Sequence, residues 1–217
     1  MGIRVKRIKT EVSESDMISA ITLAWQKLFN SLPSKEQVSL IMAQNSLETG
    51  HRKNMWNFNV GNITTNDKSE YNFFDDLTSN EQVSPGRWEK ANLKYRAYNT
   101  LEDGVFDYLK FLSENKRYSN AWKHILNPNP AEYSKALKAA GYYTANEAPY
   151  TKGLVGLFDR YNNSKSVFLK NVSPKNDNVS DDMIESLIDS EFQIAANIKK
   201  NYIKHLPSNN ILIKINS

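Results

Sequence analysis

The feature that most constrains this chain is a capped helix pattern that ends in one glutamate. Ser34 and Gln37 match the Ser-x-x-Gln pattern of a capping box, so we expect a helix to begin just after Ser34. Apolar residues then recur at helical spacing, and Gly50 is well suited to end the helix. Glu48 follows Gln44 by four residues and therefore lies on the same, inward side in the last turn.

A carboxylate in the last turn of a helix has surroundings that disfavour its charge. Glu48 faces unpaired carbonyls and the negative end of the helix dipole, and burial adds a desolvation cost. Both effects raise the pKa, and a glutamate that keeps its proton near neutral pH can protonate a glycosidic oxygen as a general acid. A solvated glutamate at a helix end is the other interpretation of the same pattern.

Three blocks of the sequence carry a resemblance to a known family. Residues 43–63 contain AQNSLETG followed by an Asn-x-Asn-x-Gly-Asn-Ile run, residues 94–112 read KYRAYNTLEDGVFDYLKFL, and residues 133–161 read YSKALKAAGYYTANEAPYTKGLVGLFDRY. In this order the blocks resemble the glucosaminidase-type peptidoglycan hydrolases, the flagellar and autolysin enzymes of the lysozyme superfamily. The resemblance covers roughly residues 17–161, and three ordered blocks are more specific than one motif.

The resemblance implies a mainly α-helical, lysozyme-like domain with a small β-rich lobe, and it gives roles to two carboxylates. Glu48 matches the acid of the family's Leu-Glu-Ser/Thr-Gly motif and would donate a proton to the leaving sugar. Glu81 is the nearest match to the family's second carboxylate, a general base or a stabiliser of positive charge, although it is equally well a polar loop residue. Glu70, Asp75 and Asp76 are the alternative second acids.

Further site residues follow from the same resemblance and from side-chain chemistry. Tyr150 matches a tyrosine that lines the cleft, where it would bind the N-acetyl group or orient the acid, but it also belongs to an apolar helical stripe typical of packing. Aromatic faces can cover a pyranose, and amides can bond its hydroxyl and acetamido groups. The predicted substrate-binding residues are Gln44, Trp56, Asn57, Phe58, Asn59 and Asn62. Asn62 has the alternative of holding the loop, and Gly61 is expected to bring the backbone near the ligand.

Composition limits the chemistry that the chain can perform. With 217 residues and 40% hydrophobic content, the chain suits one domain with an appendage. It has no cysteine, which excludes disulfides and thiolate metal sites, and its three histidines are widely scattered. We therefore predict no metal and no cofactor. The net charge of +4 favours contact with an anionic polymer such as the bacterial cell wall, and no nucleic-acid partner is predicted.

The N-terminus suggests where the protein acts. Residues 1–12 are basic but lack the apolar run of a signal peptide, and no segment approaches the length of a membrane span. A cell-wall enzyme without a signal peptide is typical of a bacteriophage. We therefore expect a phage virion or the host cytoplasm as its location, with action at the bacterial cell wall.

The chain divides into four parts. Residues 1–12 are a predicted N-terminal arm, residues 13–162 the lysozyme-like domain, residues 163–179 a polar linker, and residues 180–217 a C-terminal helix with a short strand. The last part either packs back on the domain, pairing its strand with residues 3–5, or docks to virion or tail proteins.

Within the domain, start and stop signals place further helices. Ser13 begins the first helix, which reaches Phe29, and Thr100 caps another. Pro130 opens a helix that ends at Gly141. Residues 63–98 lack a helical period and carry turn signals, which predicts loops with short strands.

Three functions remain open at this level. The first is hydrolysis of the β-1,4 bond between N-acetylglucosamine and N-acetylmuramic acid. The second is a lytic transglycosylase or a muramidase of the same superfamily, because a transglycosylase also uses one glutamate but leaves an anhydro sugar. The third is a structural or wall-binding virion protein that has kept the fold without the chemistry.

Overall fold

The fold of this computed structural model is mainly helical with a small β-rich segment, as the sequence predicts. The structure describes residues 1–66, 69–76 and 93–164, and the backbone of residues 80–84 and 87–90. The helices within those residues are α1 (Glu14–Phe29), α2 (Lys35–Thr49), α3 (Leu101–Glu114), α4 (Ser119–Leu126), α5 (Pro130–Ala139) and α6 (Glu147–Asn163). The polar linker from residue 165 and the predicted tail at residues 180–217 lie outside the described residues.

Side-chain caps fix the starts of most helices. Ser13 and Ser34 each form a capping box, and the Thr100 hydroxyl accepts a hydrogen bond from the backbone N–H of Asp103. These starts confirm the predicted ones, as does Pro130 in the first turn of α5. Helix α4 was not predicted, because it spans only eight residues and its N-terminus has no side-chain cap.

Helix α2 lies at the centre of the helical lobe. Ten of its fifteen residues are buried, and it packs against α1, α4 and α6. Because neighbouring helices enclose α2 on several sides, residues all around the helix are buried. Some of these buried residues are polar, so α2 has no single apolar face. The arrangement carries the C-terminal turn of α2, with Glu48, into the interior side of the domain.

The segment after α2 forms two antiparallel sheets. Strands β1 (Thr64–Thr65), β5 (Leu93–Arg96) and β2 (Phe73–Asp76) pair in that order, while β3 (Asn80–Ser84) and β4 (Arg87–Lys90) form a separate two-stranded ladder. This confirms the short strands predicted for residues 63–98. The turn signals at residues 67 and 85–86 lie outside the described residues.

The N-terminal arm continues the three-stranded sheet. The N–H of Phe73 donates to the carbonyl of Ile3 at 3.0 Å, and the N–H of Val5 donates to the carbonyl of Phe73 at 2.8 Å. The arm thus runs beside β2. Its predicted partner near the C-terminus lies outside the described residues. Among the helices that the structure describes, none has the length and apolar character needed to cross a membrane.

Candidate active site

Glu48 lies in the last turn of α2 and contacts two other parts of the domain. The Tyr150 hydroxyl, from the first turn of α6, donates a 2.7 Å hydrogen bond to Glu48 Oε1. Asn62 Nδ2 donates to the backbone carbonyl of Glu48 at 2.8 Å, which fixes the following loop against the last helical turn. Gly50 then ends the helix in the left-handed conformation (φ 56°), as the sequence predicts.

The protein around Glu48 favours the protonated form of its carboxyl group. Burial raises the pKa of Glu48 to about 7 from an ordinary value of 4.5, and the hydrogen bond from Tyr150 acts in the opposite direction. Glu48 as a whole residue is half-buried. A carboxyl group with this pKa is partly protonated at neutral pH, which a general acid requires.

The partner of Glu48 stays a donor over the whole working pH range. Burial, and then the negative charge of Glu48, raise the pKa of the Tyr150 phenol well above its ordinary value. The Tyr150 ring lies parallel to that of Tyr143, with ring centroids 3.6 Å apart and an interplanar angle of 8°. The charge of Glu48 also contributes to the raised pKa of Tyr133 and of Tyr142, so the acid lies among several neutral phenols.

One turn before the acid, Gln44 is part of the core. Its side chain is fully buried, and its Oε1 accepts hydrogen bonds from the hydroxyls of Tyr108 and Tyr133. This corrects the prediction that Gln44 contacts the substrate, because helical spacing puts it on the inward side but tertiary packing closes that side. The sequence analysis did not identify Tyr108 and Tyr133 as partners of Gln44. Their helical spacing was the one signal that they face inward.

Two of the predicted amide contacts have structural roles. Asn57 Oδ1 accepts from the N–H of Ile8 at 2.9 Å, and Asn57 Nδ2 donates to the carbonyl of Lys6 at 3.0 Å. Asn59 is buried, and its Nδ2 donates to the carbonyls of Ile63 and Arg96, both at 2.9 Å. Amides so engaged with the backbone are not open to a sugar, which corrects the prediction for both residues. Asn62 holds the loop, which was its alternative role.

The aromatic residues of this loop are also engaged. The Arg7 guanidinium lies 4.0 Å from the centroid of the Trp56 ring, so one face of that half-buried ring is covered. Phe58 is half-buried and lines a cavity of about 310 Å³ with residues of the N-terminal arm. Sugar contact by the open surfaces of Trp56 and Phe58 stays a prediction.

Gly61 serves packing rather than the ligand. A Cβ atom at Gly61 would overlap the ring of Tyr108, so the glycine lets the loop lie directly on α3. The hydroxyl of Tyr142 donates to the Gly61 carbonyl at 2.7 Å. Gly61 was predicted to bring the backbone near the ligand, but in the structure it brings the backbone close to Tyr108 and Tyr142.

The alternative second acids are held differently from Glu48. Asp75 forms an ion pair with Arg4, and Asp76 forms one with Arg7 at 3.1 Å. These side chains are only 8% and 13% exposed, and both carboxylates anchor the arm to β2. A role for either as the second acid stays a prediction. Glu70 is exposed. Glu81 lies on β3 opposite Glu89 of β4, and its side chain lies outside what the structure describes.

A buried polar network, not foreseen from the sequence, anchors the turn that carries the acid. Ser46 Oγ lies 2.6 Å from the hydroxyl of Tyr161 and accepts from Arg52 NH1 at 3.1 Å. Arg52 NH2 donates to Glu14 Oε1 at 3.1 Å. The network ties the end of α2 to α1 and α6. Arg52, buried with a positive φ of 67°, gave no signal in the sequence.

Comparisons with known proteins point to one family. The profile of the glucosaminidase family, described as mannosyl-glycoprotein endo-beta-N-acetylglucosaminidase, matches residues 32–163. The peptidoglycan hydrolase FlgJ of Vibrio cholerae is 27% identical over an alignment of 152 positions, which covers 60% of this chain and 44% of FlgJ. The chain thus spans less than half the length of that relative.

Two hydrolases are among the solved structures to which the chain is similar. The crystal structure of a peptidoglycan hydrolase from Sphingomonas sp. A1 is 19% identical, with a TM-score of 0.49 over 75% of this chain and 96% of that one. The glycoside hydrolase domain of Salmonella typhimurium FlgJ is 20% identical, with a TM-score of 0.46 over 69% of this chain and 88% of that one.

Proposed function

This chain belongs to the glucosaminidase family, and we propose that it cleaves β-1,4 glycosidic bonds of bacterial peptidoglycan with Glu48 as the general acid. One observation carries the proposal. The carboxyl group of Glu48 is held partly protonated near pH 7 by burial, and it receives a 2.7 Å hydrogen bond from Tyr150. The similarity to a peptidoglycan hydrolase supports peptidoglycan as the substrate class.

The site can change its charge in step with the reaction. The proton of Glu48 moves to the glycosidic oxygen as the bond from that oxygen to C1 breaks, and the leaving sugar departs with a hydroxyl group. Glu48 is then a carboxylate, and the Tyr150 hydroxyl already donates to it. Because a hydrogen bond to a charged acceptor is the stronger one, Tyr150 stabilises the product state of the proton transfer more than the starting state.

A second group must deal with the positive charge that develops on the sugar ring. We assign this role to Glu81, which lies on strand β3 and is the nearest match to the second carboxylate of the family, and Glu70 is the alternative; Asp75 and Asp76 are engaged in ion pairs with the arm. Glu81 would activate the attacking water or stabilise the charged ring. Water then adds to C1 and passes its proton to Glu81 or to solvent, and Glu48 regains a proton from solvent. The products are two glycan chains, one of which has a new reducing end.

The ion pairs of Asp75 and Asp76 also favour one alternative reaction. If Glu48 is the only working carboxylate, the enzyme is a lytic transglycosylase, in which the 6-hydroxyl of muramic acid closes on C1 and no water is consumed. The two reactions differ by one water in the mass of the product. The phage location, and a virion partner for residues 180–217, stay predictions.

Product analysis tests the proposal. Purified peptidoglycan is digested with the full chain, with Glu48→Gln and with Glu36→Gln, whose exposed side chain lies in the first turn of the same helix. The soluble fragments are reduced and identified by mass spectrometry. We expect reducing-end N-acetylglucosamine from the wild type and from Glu36→Gln, and no fragments from Glu48→Gln.

Other outcomes contradict parts of the proposal. Reducing muramic acid would show a muramidase, and anhydro-muramic acid would show a transglycosylase. Fragments released by Glu48→Gln at the wild-type rate would remove Glu48 from the reaction. If a folded wild type releases no fragments, the wall-binding role replaces the enzymatic one.

A further inference from the structure

The phenol that contacts the acid is itself held by a second tyrosine. The rings of Tyr143 and Tyr150 are nearly parallel, and their centroids are 3.6 Å apart. Within the part of the chain that the structure describes, no other aromatic ring stacks on Tyr150. Tyr150 is half-buried and lies in the first turn of α6, so the Tyr143 ring covers one face of its side chain.

Tyr143 is firmly fixed to α5. Its hydroxyl lies 3.1 Å from Ser134 Oγ and donates to the Ser134 carbonyl at 3.2 Å. Ser134 is fully buried, and its hydroxyl lies 2.6 Å from that of Thr151, the neighbour of Tyr150 in α6. One anchor in α5 therefore positions both the Tyr143 ring and the start of α6.

The turn that carries Tyr143 is restrained as well. Lys138 Nζ donates to the carbonyls of Thr144 and Ala145 at 2.8 and 2.7 Å, and it lies 5.2 Å from the centroid of the Tyr143 ring. The α5–α6 connection thus has a defined conformation, and the Tyr143 ring is presented as a flat surface to Tyr150.

We propose that Tyr143 is a positioning residue of the active site: its stacked ring holds the Tyr150 hydroxyl on Glu48 Oε1. This inference rests on the proposed role of Glu48. Tyr143 makes no hydrogen bond to Glu48 and acts through Tyr150 alone. Stacking restricts rotation of the Tyr150 side chain, and an oriented donor loses less conformational entropy when it bonds the carboxylate.

The consequence is a defined change in pH dependence. The Tyr150 hydrogen bond lowers the pKa of Glu48, against the effect of burial. If Tyr150 is released, the carboxylate loses this bond and the acid keeps its proton to higher pH. The alkaline limb of the activity profile should then move to higher pH, while the reduced stabilisation of the carboxylate lowers the maximal rate.

The test compares pH profiles of peptidoglycan hydrolysis for the full chain and four variants: Tyr143→Leu, Tyr143→Phe, Tyr150→Phe and the double variant Tyr143→Leu/Tyr150→Phe. Tyr143→Leu removes the flat ring and should move the limb by roughly half a pH unit, a part of the shift in Tyr150→Phe. Tyr143→Phe keeps the ring but loses its hydrogen bonds to Ser134, so it should move the limb less than Tyr143→Leu does. The double variant should match Tyr150→Phe, because the effect passes through that hydroxyl.

Several results would overturn the inference without touching the proposed function. These are a wild-type limb in folded Tyr143→Leu, a wild-type limb in Tyr150→Phe, or a larger shift in the double variant than in Tyr150→Phe. Circular dichroism verifies folding, and Tyr143→Met, which fills the space without a ring, replaces the leucine variant if that variant does not fold. Failure of the proposed function would instead appear as unchanged activity in Glu48→Gln.

Discussion

The helical part of the domain and the β-rich segment both contain poorly exposed carboxylates, but the partners of these carboxylates differ in charge. The carboxyl group of Glu48 meets a neutral phenol, and burial raises its pKa to about 7. Asp75 and Asp76 meet the guanidinium groups of Arg4 and Arg7. A cationic partner compensates the cost of burying a charge, whereas a phenol compensates only part of it.

The difference shows what an acid of this kind requires. Burial without a cation leaves the proton on the carboxyl group, and one neutral donor stabilises the charge once the proton has left. Asp75 and Asp76 of β2 instead have a structural role, since they attach the N-terminal arm to the sheet.

Removal of the acid gives the largest expected effect. Glu48→Gln preserves the shape of the side chain and can still accept from Tyr150, but it has no proton to donate. We expect the rate of peptidoglycan hydrolysis to fall at least about a hundredfold, the usual contribution of a general acid. The rate of fragment release measures it. A loss of less than about threefold would contradict the distinction between the two regions.

The same substitution should change the pH dependence of stability. The folded-state pKa of Glu48, about 7, lies above its ordinary value of 4.5, so the folded protein binds more protons in this window. The free energy of unfolding contributed by this group is fully present below about pH 4.5 and is lost as the pH rises through 7. Above pH 7, Glu48→Gln should be more stable than the wild type by up to about 3 kcal/mol.

Urea unfolding of both proteins at acid and at alkaline pH measures this difference. We expect the two curves to approach each other near pH 4 and to separate as the pH increases. A constant difference at all pH values would show that Glu48 titrates normally in the folded protein.

The loop that joins the two regions provides a third prediction. Asn62 has a positive φ of 49°, and its amide bonds the Glu48 carbonyl. Asn62→Ala loses this bond and strains the backbone, so it should cost about 1–2 kcal/mol of unfolding free energy. Asn62→Gly is the matched control, because glycine accepts the positive φ and loses only the bond. Equal stability of all three proteins would contradict the assignment of Asn62 to loop structure.

The ion pairs of the β-rich segment give the smallest effect. Asp76→Asn removes the charge that Arg7 contacts and should lower stability by about 1 kcal/mol. The rate of hydrolysis per folded molecule should stay within about twofold of the wild-type rate, because Asp76 has no assigned catalytic role. Unfolding curves and initial rates measure the two quantities. A hundredfold loss of activity with an intact fold would identify Asp76 as the second acid.

Local signals allowed the helical part of the fold to be predicted. Capping boxes at Ser13 and Ser34 and the left-handed Gly50 depend on neighbours within a few residues, so the sequence alone reveals them. The position of Glu48 in the last turn of α2 follows from the same signals. The short α4 lacks a side-chain cap and was missed.

Long-range contacts explain what the sequence did not predict. The amides of Asn57 and Asn59 resemble sugar ligands in the sequence, but they bond backbone groups of the arm and of the loop that leads to the sheet. Gln44 shares the inward side of α2 with Glu48, yet tyrosines from α3 and α5 enclose it. No spacing rule separates an amide that holds the fold from one that awaits a ligand.

Titration of Glu48 itself tests most directly the claim that its surroundings hold the proton. The full chain is prepared with ¹³C at the glutamate side-chain carboxyl groups, and their NMR signals are followed against pH in the wild type and in Glu48→Gln. We predict one signal with a midpoint near pH 7 that is missing from the variant. Titration of every wild-type glutamate below about pH 5 would contradict the account.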